Sequence, residues 1–476
     1  MDATDLIALL PMIIIGATSV IVMLVITFQR GRGGAFLLAL AGQALSLATI
    51  PMASGYAPRQ VTVLLTVDSY SLILSGLFVV AGLAVLILSY SYLQRRSGEL
   101  EEFSLMLLLA TLGALVLVSS AHFASFLMGL EILSVSLYVL IAYTSAERRS
   151  LEAGLKYLIL AGASSAILLF GMALLYAELG TMEFARIANS PNLAGPLTLP
   201  GFALVLSGIG FKLALVPFHM WTPDIYEGAP APVTAFIATV SKGAVFALLL
   251  RYFTGADGYG HRQLLTALGM VSVASMVIGN LLALMQTNVK RLLAYSSIAH
   301  LGYLMVALLS GRDLAARVST FYLVTYFISI MGAFGVVALL SDGERDTDEL
   351  SEYRGLFWRR PWTAAVFTAS LFSLAGIPLT AGFVGKFYLL TAGVGSALWA
   401  PVLVLVATSA IGLFYYLRVI VALYSSAPTT NDRGVQLFGH GLSWSGSLVL
   451  AGLLILLLWL GVYPGPFLRL IQQAVL

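Results

Sequence analysis

The sequence contains no cysteine at any of its 476 positions. Iron–sulfur ligation, thiolate zinc sites, disulfides and thiol catalysis are therefore excluded for this chain. It also has no Walker A sequence, no HExxH pair and no GxSxG turn. We expect no cofactor or metal in this chain, so any associated redox chemistry must belong to other chains.

Charged residues are also scarce. Charged residues make up 10% of the chain and hydrophobic residues 59%, whereas soluble domains are about one-quarter charged. Apolar stretches of about 20 residues, enough to cross a hydrocarbon layer, recur along nearly the whole length. The net charge of +3 is too small to indicate nucleic-acid binding. The composition predicts an all-α polytopic membrane protein.

Hydropathy predicts about fourteen membrane helices. They lie at residues 6–28, 35–53, 69–93, 103–120, 122–143, 155–177, 200–219, 232–253, 264–286, 291–310, 316–340, 362–391, 402–424 and 443–464. The first lacks a basic region and a cleavage motif, so we interpret it as a retained helix rather than a signal peptide.

Loop lysines and arginines fall into two sets that predict the orientation. The larger set holds thirteen residues: Arg30, Arg32, Arg95, Arg96, Arg148, Arg149, Lys290, Arg291, Arg345, Arg354, Arg359, Arg360 and Arg433. The smaller set holds seven: Arg59, Arg186, Arg251, Arg262, Arg312, Arg317 and Arg469. The positive-inside rule places the larger set in the cytoplasm and both termini in the periplasm. The charged run 341–360 then becomes a cytoplasmic loop, which we interpret as a solvated connection.

Two predicted helices, the seventh and the twelfth, carry a lysine and a helix breaker close together. Lys212 precedes Pro217, and Lys386 follows Pro378, and the two lysines lie 174 residues apart. Repeated helix bundles in transporters place broken helices at matching positions. We predict two inverted five-helix repeats, helices 4–8 and 9–13, with helices 7 and 12 broken. The corresponding segments are residues 1–100, 101–260 (first repeat), 261–425 (second repeat) and 426–476.

A few charged side chains fall inside the predicted helices. The basic ones are Lys156, Lys212, Lys242, Lys386 and Arg418, and the acid near the middle of an apolar span is Glu131. Each isolated charge at bilayer depth costs about 2.5–3.5 kcal/mol. They either join helices as ion pairs or carry a function. For Arg418 we favour a structural or electrostatic role, because guanidinium does not deprotonate usefully.

Lysine suits a proton relay. A buried ammonium releases its proton more readily than an exposed one, and a nearby carboxylate opposes that release. Glu131 with Lys212 or Lys156 is the candidate pair, although Lys156 lies near its helix start and can reach the interface. His300 and His219 are candidates because imidazole exchanges protons near pH 7. A lone histidine is often structural, but the repeat places His300 in the helix matching that of Glu131.

Three segments, residues 211–236, 288–303 and 376–386, together resemble the antiporter-like subunits of respiratory complex I, most closely the N type. Lys242 stands where the L and M types usually carry histidine, and Lys386 differs from the glutamate typical of M. The resemblance maps the family's proton-transfer residues onto this chain. They are Glu131, Lys156, Lys212, Lys242, His300 and Lys386.

The resemblance implies a proton-translocating membrane-arm subunit of a bacterial NADH:quinone oxidoreductase. Protons would pass from Lys212 through Lys242 and His300 to Lys386, with Glu131 tuning Lys212. FMN, iron–sulfur clusters and quinone would reside in partner subunits, with M-type and K-type subunits as neighbours in the bacterial inner membrane. Two alternatives stay open: a cation/proton antiporter or hydrogenase-type subunit, and a passive scaffold whose charges only join helices.

Overall fold

The computed structural model describes residues 2–28, 33–96, 99–188, 195–255, 259, 262–426 and 443–474. Of the loop arginines used to orient the chain, Arg30, Arg32 and Arg433 lie outside these residues.

The first half of the chain is a run of helices interrupted by one small hairpin. Its elements are α1 Ala3–Ala8, α2 Leu10–Phe28, α3 Gly34–Ser54, β1 Arg59–Gln60, β2 Thr66–Val67, α4 Ser69–Arg95, α5 Leu100–Ser119, α6 Phe123–Ile141, α7 Arg148–Leu179, α8 Phe184–Ala188, α9 Thr198–Leu213, α10 Trp221–Gly228, α11 Ala231–Phe236, a π-helical turn Ile237–Ser241 and α12 Lys242–Gly255. The two strands pair antiparallel.

The second half is helical among the described residues. Its elements are α13 Arg262–Leu284, α14 Val289–Leu309, α15 Arg312–Leu340, a 3-10 turn Leu350–Tyr353, α16 Leu356–Arg359, α17 Pro361–Ala375, α18 Ala381–Gly395, α19 Trp399–Tyr424, α20 Trp444–Val462 and α21 Gly465–Ala474. The predicted membrane helices are all represented, whereas the hairpin and α21 were not predicted.

Twelve helices in the described part of the chain are long and apolar enough to cross a membrane. The predicted seventh and twelfth helices are not among them, because α9 and α17 are shorter apolar helices that end at a break. The polytopic all-α fold is confirmed. The count of fourteen crossings and the inverted repeats remain predictions.

The centre of the bundle is α14, α15 and the α11–α12 segment. Every residue in the most apolar window of α15 and of the α11–α12 segment is buried, whereas only 28% of the window of α2 and 22% of that of α20 is buried. Glycines permit close helix contacts here; a Cβ on Gly279 would lie 2.8 Å from the backbone nitrogen of Ala299. The central helices therefore face protein rather than lipid, which is where buried polar groups can be tolerated.

Both predicted breaks are present, and each forms through a left-handed residue. After α9, Ala214 has φ of +57°, and after α17, Gly376 has φ of +86°. The freed backbone groups find partners inside the protein: the Val216 amide donates to Ser275 Oγ at 3.0 Å. Such partners are what makes an interrupted helix possible at membrane depth.

Candidate functional site

Lys212 occupies the last turn of α9, directly before the first break. Its side chain is buried, and its ammonium donates to Ser134 Oγ on α6 at 2.8 Å. Glu131 lies one turn earlier on α6 and accepts a 2.6 Å hydrogen bond from Ser165 Oγ on α7. Because Glu131 and Ser134 are three residues apart on α6, the carboxylate lies on the helix face that Lys212 approaches. Each of the two groups is therefore hydrogen-bonded to a different serine hydroxyl.

Lys242 begins α12 immediately after the π-helical turn and is 1% exposed. Its ammonium donates to Ser297 Oγ on α14 at 2.9 Å. It also lies 5.0 Å from the ring centroid of Tyr226 and 5.9 Å from that of Trp221, both on α10. Ser297 Oγ in addition accepts a 2.8 Å bond from the Tyr326 hydroxyl. Lys242 is therefore held by a hydroxyl and by aromatic faces.

His300 follows Ser297 by one turn of α14 and has a phenol at each ring nitrogen. Nδ1 lies 2.7 Å from the Tyr322 hydroxyl, and Nε2 lies 3.3 Å from that of Tyr416. Tyr416 is also hydrogen-bonded to Ser296. Because both phenols can donate or accept, this chain of groups can pass a proton in either direction.

Lys386 lies in the second turn of α18, beyond the second break. Its ammonium donates to the Ala375 carbonyl at 2.9 Å, at the buried C-terminal end of α17. It lies 5.2 Å from the ring centroid of Tyr303. Since Tyr303 also contacts the His300 ring at a centroid distance of 5.4 Å, this ring lies against both His300 and Lys386.

Two candidate residues, Lys156 and His219, stand apart from the hydrogen-bonded groups described above. Lys156 is not paired with Glu131: α7 begins seven residues earlier than predicted, and Lys156, 43% exposed, pairs with Glu152 at 2.8 Å and Asp224 at 2.9 Å. His219 is buried in the loop after the first break, and neither ring nitrogen makes a hydrogen bond of good geometry within the described part of the chain. Within the described residues, neither side chain is hydrogen-bonded to Glu131, Lys212, Lys242, His300 or Lys386.

Aromatic rings separate the hydrogen-bonded segments. Between Lys212 and Lys242 stand Tyr157 and Trp221, whose centroids are 5.2 Å apart. The Trp221 indole donates to the Phe211 carbonyl at 2.9 Å, so the broken backbone fixes this ring. Proton transfer across such a gap requires water, because ring carbons neither donate nor accept protons.

Ion pairs gather at one end of the molecule, where α4, α7, α10 and α14 meet the loop after α15. This ionic end cluster consists of Arg96, Glu147, Arg149, Glu152, Lys156, Asp224, Glu227, Lys290, Arg291, Arg345, Asp346, Asp348 and Glu352. It includes members of the larger basic set from several loops, which agrees with placing those loops on one side.

The interpretation of residues 341–360 as a solvated connection is wrong for the loop's centre. Asp346 and Asp348 are 8% and 4% exposed. Burial opposes ionisation of Asp346, but Lys290, Arg96 and the hydrogen bond from Tyr92 outweigh it and lower its pKa. Hydrophilicity predicted solvent exposure, whereas these carboxylates are paired with cations of other helices.

Several polar groups of the site were not predicted. Ser134, Ser165, Ser297 and Tyr416 contact the candidate residues directly. Ser134 and Ser297 each stand three residues from a predicted site residue on the same helix, which places them on the same face. That spacing was a usable signal. Arg418 donates to the Leu284 carbonyl at 2.9 Å and to that of Gln286, as its predicted structural role requires.

No group of three or more histidine, aspartate or glutamate side chains arranged to hold a metal ion occurs among the described residues. The sequence has no cysteine, so it cannot carry thiol redox chemistry. The chemistry that the arrangement supports is proton transfer among lysines, hydroxyls and one imidazole.

Comparison with known proteins bears directly on this arrangement. Residues 120–412 match the family model described as NADH:quinone oxidoreductase/Mrp antiporter, TM. The chain is 51% identical to NADH-quinone oxidoreductase subunit N of Nitrosospira multiformis, over 99% of this chain and 96% of that protein. The same subunit of Methylococcus capsulatus is 48% identical, over 98% and 94%. That of Ectopseudomonas mendocina is 47% identical, over 100% and 97%.

Solved structures give the same result for the fold. A chain of respiratory complex I from Thermus thermophilus is 35% identical, with a TM-score of 0.83 over 96% of this chain and 98% of that one. A chain of the archaeal membrane-bound sulfane sulfur reductase has a TM-score of 0.86 at 22% identity, covering 99% and 97%. A chain of the Mrp complex of Dietzia sp. has a TM-score of 0.86 at 20% identity, covering 100% and 97%. The last two show the fold alone.

The helix bundle with its internal line of lysines is that of an antiporter-like membrane subunit, and the chain belongs to the NADH:quinone oxidoreductase/Mrp antiporter family. The three full-length relatives named above, at 47–51% identity, are each subunit N of NADH-quinone oxidoreductase, so the chain belongs to the N group, as its motifs predict.

Proposed function

We propose that this chain carries protons from cytoplasm to periplasm as a membrane-arm subunit of a bacterial NADH:quinone oxidoreductase, driven by quinone reduction in other subunits. One observation supports this most strongly. Of the five lysines in the sequence, Lys212, Lys242 and Lys386 are buried and donate to neutral oxygens. The other two, Lys156 and Lys290, face carboxylates. A buried ammonium held only by neutral partners releases its proton readily.

The proposed path follows the contacts. A proton reaches Lys212 from the side of the ionic end cluster and crosses the Tyr157–Trp221 gap to Lys242. It then moves through Ser297 and His300 to Lys386 and leaves towards the periplasm. Glu131 sets how strongly Lys212 holds its proton.

Lys156 and His219 have lesser roles in the proposed path. Lys156 lines a groove of about 260 Å³ together with Asp224 and Glu227, which offers a site for uptake. His219 lies buried in the loop of the first break.

The organisation around the path is part of the proposal. Residues 101–260 and 261–425 form the two inverted repeats, flanked by 1–100 and 426–476. Both termini face the periplasm of the inner membrane. M-type and K-type subunits are the neighbours, and FMN, iron–sulfur clusters and quinone are held elsewhere in the assembly. The full-length similarity to subunit N supports these assignments.

Measuring proton pumping per electron in assembled enzyme carrying Lys212→Met tests the path. Methionine keeps the length of the side chain but carries no proton, so we expect pumping per electron to fall while the complex still assembles. Arg262→Met is the matched control, because it removes an exposed charge at the start of α13. Undiminished pumping in Lys212→Met would contradict the relay role and would favour the passive scaffold.

A cation/proton exchanger is the second candidate function. The shared fold of the Mrp chain does not favour it, since the identity is 20%. Exchange of an ion gradient by the isolated chain in vesicles would support the exchanger. Co-purification with flavin, iron–sulfur clusters and quinone-reductase activity supports the proposal above.

A further inference from the structure

Lys290 has a role that its loop position does not suggest. It is the second residue of α14 and is 1% exposed. Its ammonium makes three hydrogen bonds: to Asp346 Oδ2 at 2.6 Å, to the Glu227 carbonyl at 2.9 Å and to the Ala229 carbonyl at 2.7 Å. An ammonium has three protons to donate, so this lysine is saturated. It is a tether rather than a carrier.

Asp346 is held equally closely. Its Oδ1 accepts a 2.7 Å bond from the Tyr92 hydroxyl and a 3.0 Å bond from Arg96 Nη2. Arg96 pairs in turn with Glu147, at the start of α7. The carboxylate therefore connects α4 and the start of α7 to Lys290.

The two carbonyls that Lys290 binds lie at the C-terminal end of α10. A cation there satisfies carbonyls that lack helical partners and complements the helix dipole. The same short helix carries Trp221 and Tyr226, whose rings flank Lys242. Any shift of α10 therefore moves Trp221, one of the two rings between Lys212 and Lys242, and Tyr226 beside Lys242.

We propose that Asp346 and Lys290 form a clamp that positions α10 and thereby sets the rate of proton transfer between Lys212 and Lys242. This inference rests on the proposed function, because it concerns a step of that path. Lys290 and Asp346 are positioning residues, since neither touches the transferred proton. The loop after α15 can in this way control the centre of the bundle from its ionic end.

The test uses Asp346→Asn in the assembled enzyme. Asparagine keeps the shape of the side chain but removes the charge that holds Lys290. Displacing groups of a reaction by about 1 Å can slow it by up to about a hundredfold, and we expect pumping to slow by about tenfold. The solvent deuterium isotope effect on pumping should rise, because proton transfer becomes rate-limiting. A merely structural defect would lower quinone reduction and pumping in proportion and leave the isotope effect unchanged.

Glu344→Gln is the matched control, because it removes an acidic charge from the same loop at an exposed position. If Asp346→Asn fails to assemble, Tyr92→Phe removes one hydrogen bond to the same carboxylate, and we expect a two- to threefold slowing with a raised isotope effect. An unchanged isotope effect in every assembled variant overturns the clamp. Lys212→Met, measured alongside, separates the two ideas: normal pumping there refutes the path itself, whereas lost pumping there with wild-type behaviour of Asp346→Asn refutes only the clamp.

Discussion

The two broken helices place their lysines on opposite sides of the break. Lys212 precedes its break, in the last turn of α9, and donates to the Ser134 side chain near Glu131. Lys386 follows its break and donates back to the Ala375 carbonyl, at the end of α17. The first lysine is therefore held by groups that can change, and the second by a fixed backbone dipole.

This difference suggests a division of labour along the path. A carboxylate near a buried lysine alters its proton affinity when the carboxylate moves or is neutralised. Lys212 has such a group in Glu131, and the nearby α10 is tethered to the ionic end cluster through Lys290. The carbonyl end of a helix carries a constant partial negative charge. The partner of Lys386 therefore gives it a constant electrostatic environment, whereas the environment of Lys212 can change with Glu131.

The largest effect that separates the two breaks is expected from Gly376→Ala. Gly376 has φ of +86°, and an added Cβ would lie 2.8 Å from Cδ of Lys386. A left-handed conformation costs a non-glycine residue about 1–2 kcal/mol, and the methyl group must also displace the lysine from Ala375. We expect pumping in assembled enzyme to fall about tenfold, measured with inverted membrane vesicles.

Ala214→Gly at the first break is the matched variant for this comparison. Ala214 already bears a Cβ at φ of +57°. Glycine relieves that strain and adds chain entropy to the unfolded state, so we expect stability to change by less than about 1 kcal/mol. Equal losses of pumping at both positions would show that the breaks do not differ in the way described.

A smaller effect is expected from Ser134→Ala. The variant removes the hydroxyl that Lys212 binds at 2.8 Å. Hydrogen bonds to charged groups contribute about 1.5–3 kcal/mol, and part of this loss is recovered if Glu131 or water takes the place of the hydroxyl. We expect pumping to slow by about three- to tenfold. No side-chain variant can do the same at Lys386, whose acceptor is backbone.

Ser136→Ala provides the control for Ser134→Ala. Ser136 lies on the same helix, is also buried and donates to the Ile132 carbonyl at 2.8 Å. It lacks a bond to a charged group, so its removal should leave pumping unchanged. Similar slowing in both serine variants would assign the effect to α6 packing rather than to Lys212.

The sequence predicted the parts of this site whose chemistry is costly in a membrane. Lys212, Lys242 and Lys386 are each an isolated charge in an apolar run, and lipid tolerates such residues only inside the protein. Pro217 and Pro378 likewise predicted the two breaks, because proline removes a backbone donor. Local rules sufficed for these features since the penalty acts on each residue alone.

Features that depend on distant partners were not predictable in this way. Asp346 occurs in a run that is polar throughout, and only the fold brings Lys290 and Arg96 to it. Lys156 was assigned too near its helix start because α7 extends beyond the apolar window that defined it. Ser134 and Ser297 are ordinary helix serines until a lysine from another helix reaches them.

The smallest effect concerns the pH dependence of the contact between Asp346 and Lys290, which tethers α10 next to the first break. The contacts of Lys386 with the described residues include no such carboxylate. Burial disfavours the charged form of Asp346, but Lys290, Arg96 and Tyr92 prevail, and its pKa falls below the ordinary value of 3.8. An acid with a lowered folded pKa contributes stability that is present above its unfolded pKa and is lost as pH falls through the folded pKa. Between pH 6 and pH 8 this contribution is constant.

We therefore expect Asp346→Asn to lower the dissociation temperature of this subunit from the membrane arm by the same amount at pH 6, 7 and 8. Glu147 also faces this group through Arg96, and burial raises its pKa despite that arginine. Repeating the series with Glu147→Gln in both proteins removes its titration. A difference that still shrinks towards pH 6 would mean that Asp346 is not held by Lys290 as described, and the contrast between a tethered first break and an untethered second one would lose its basis.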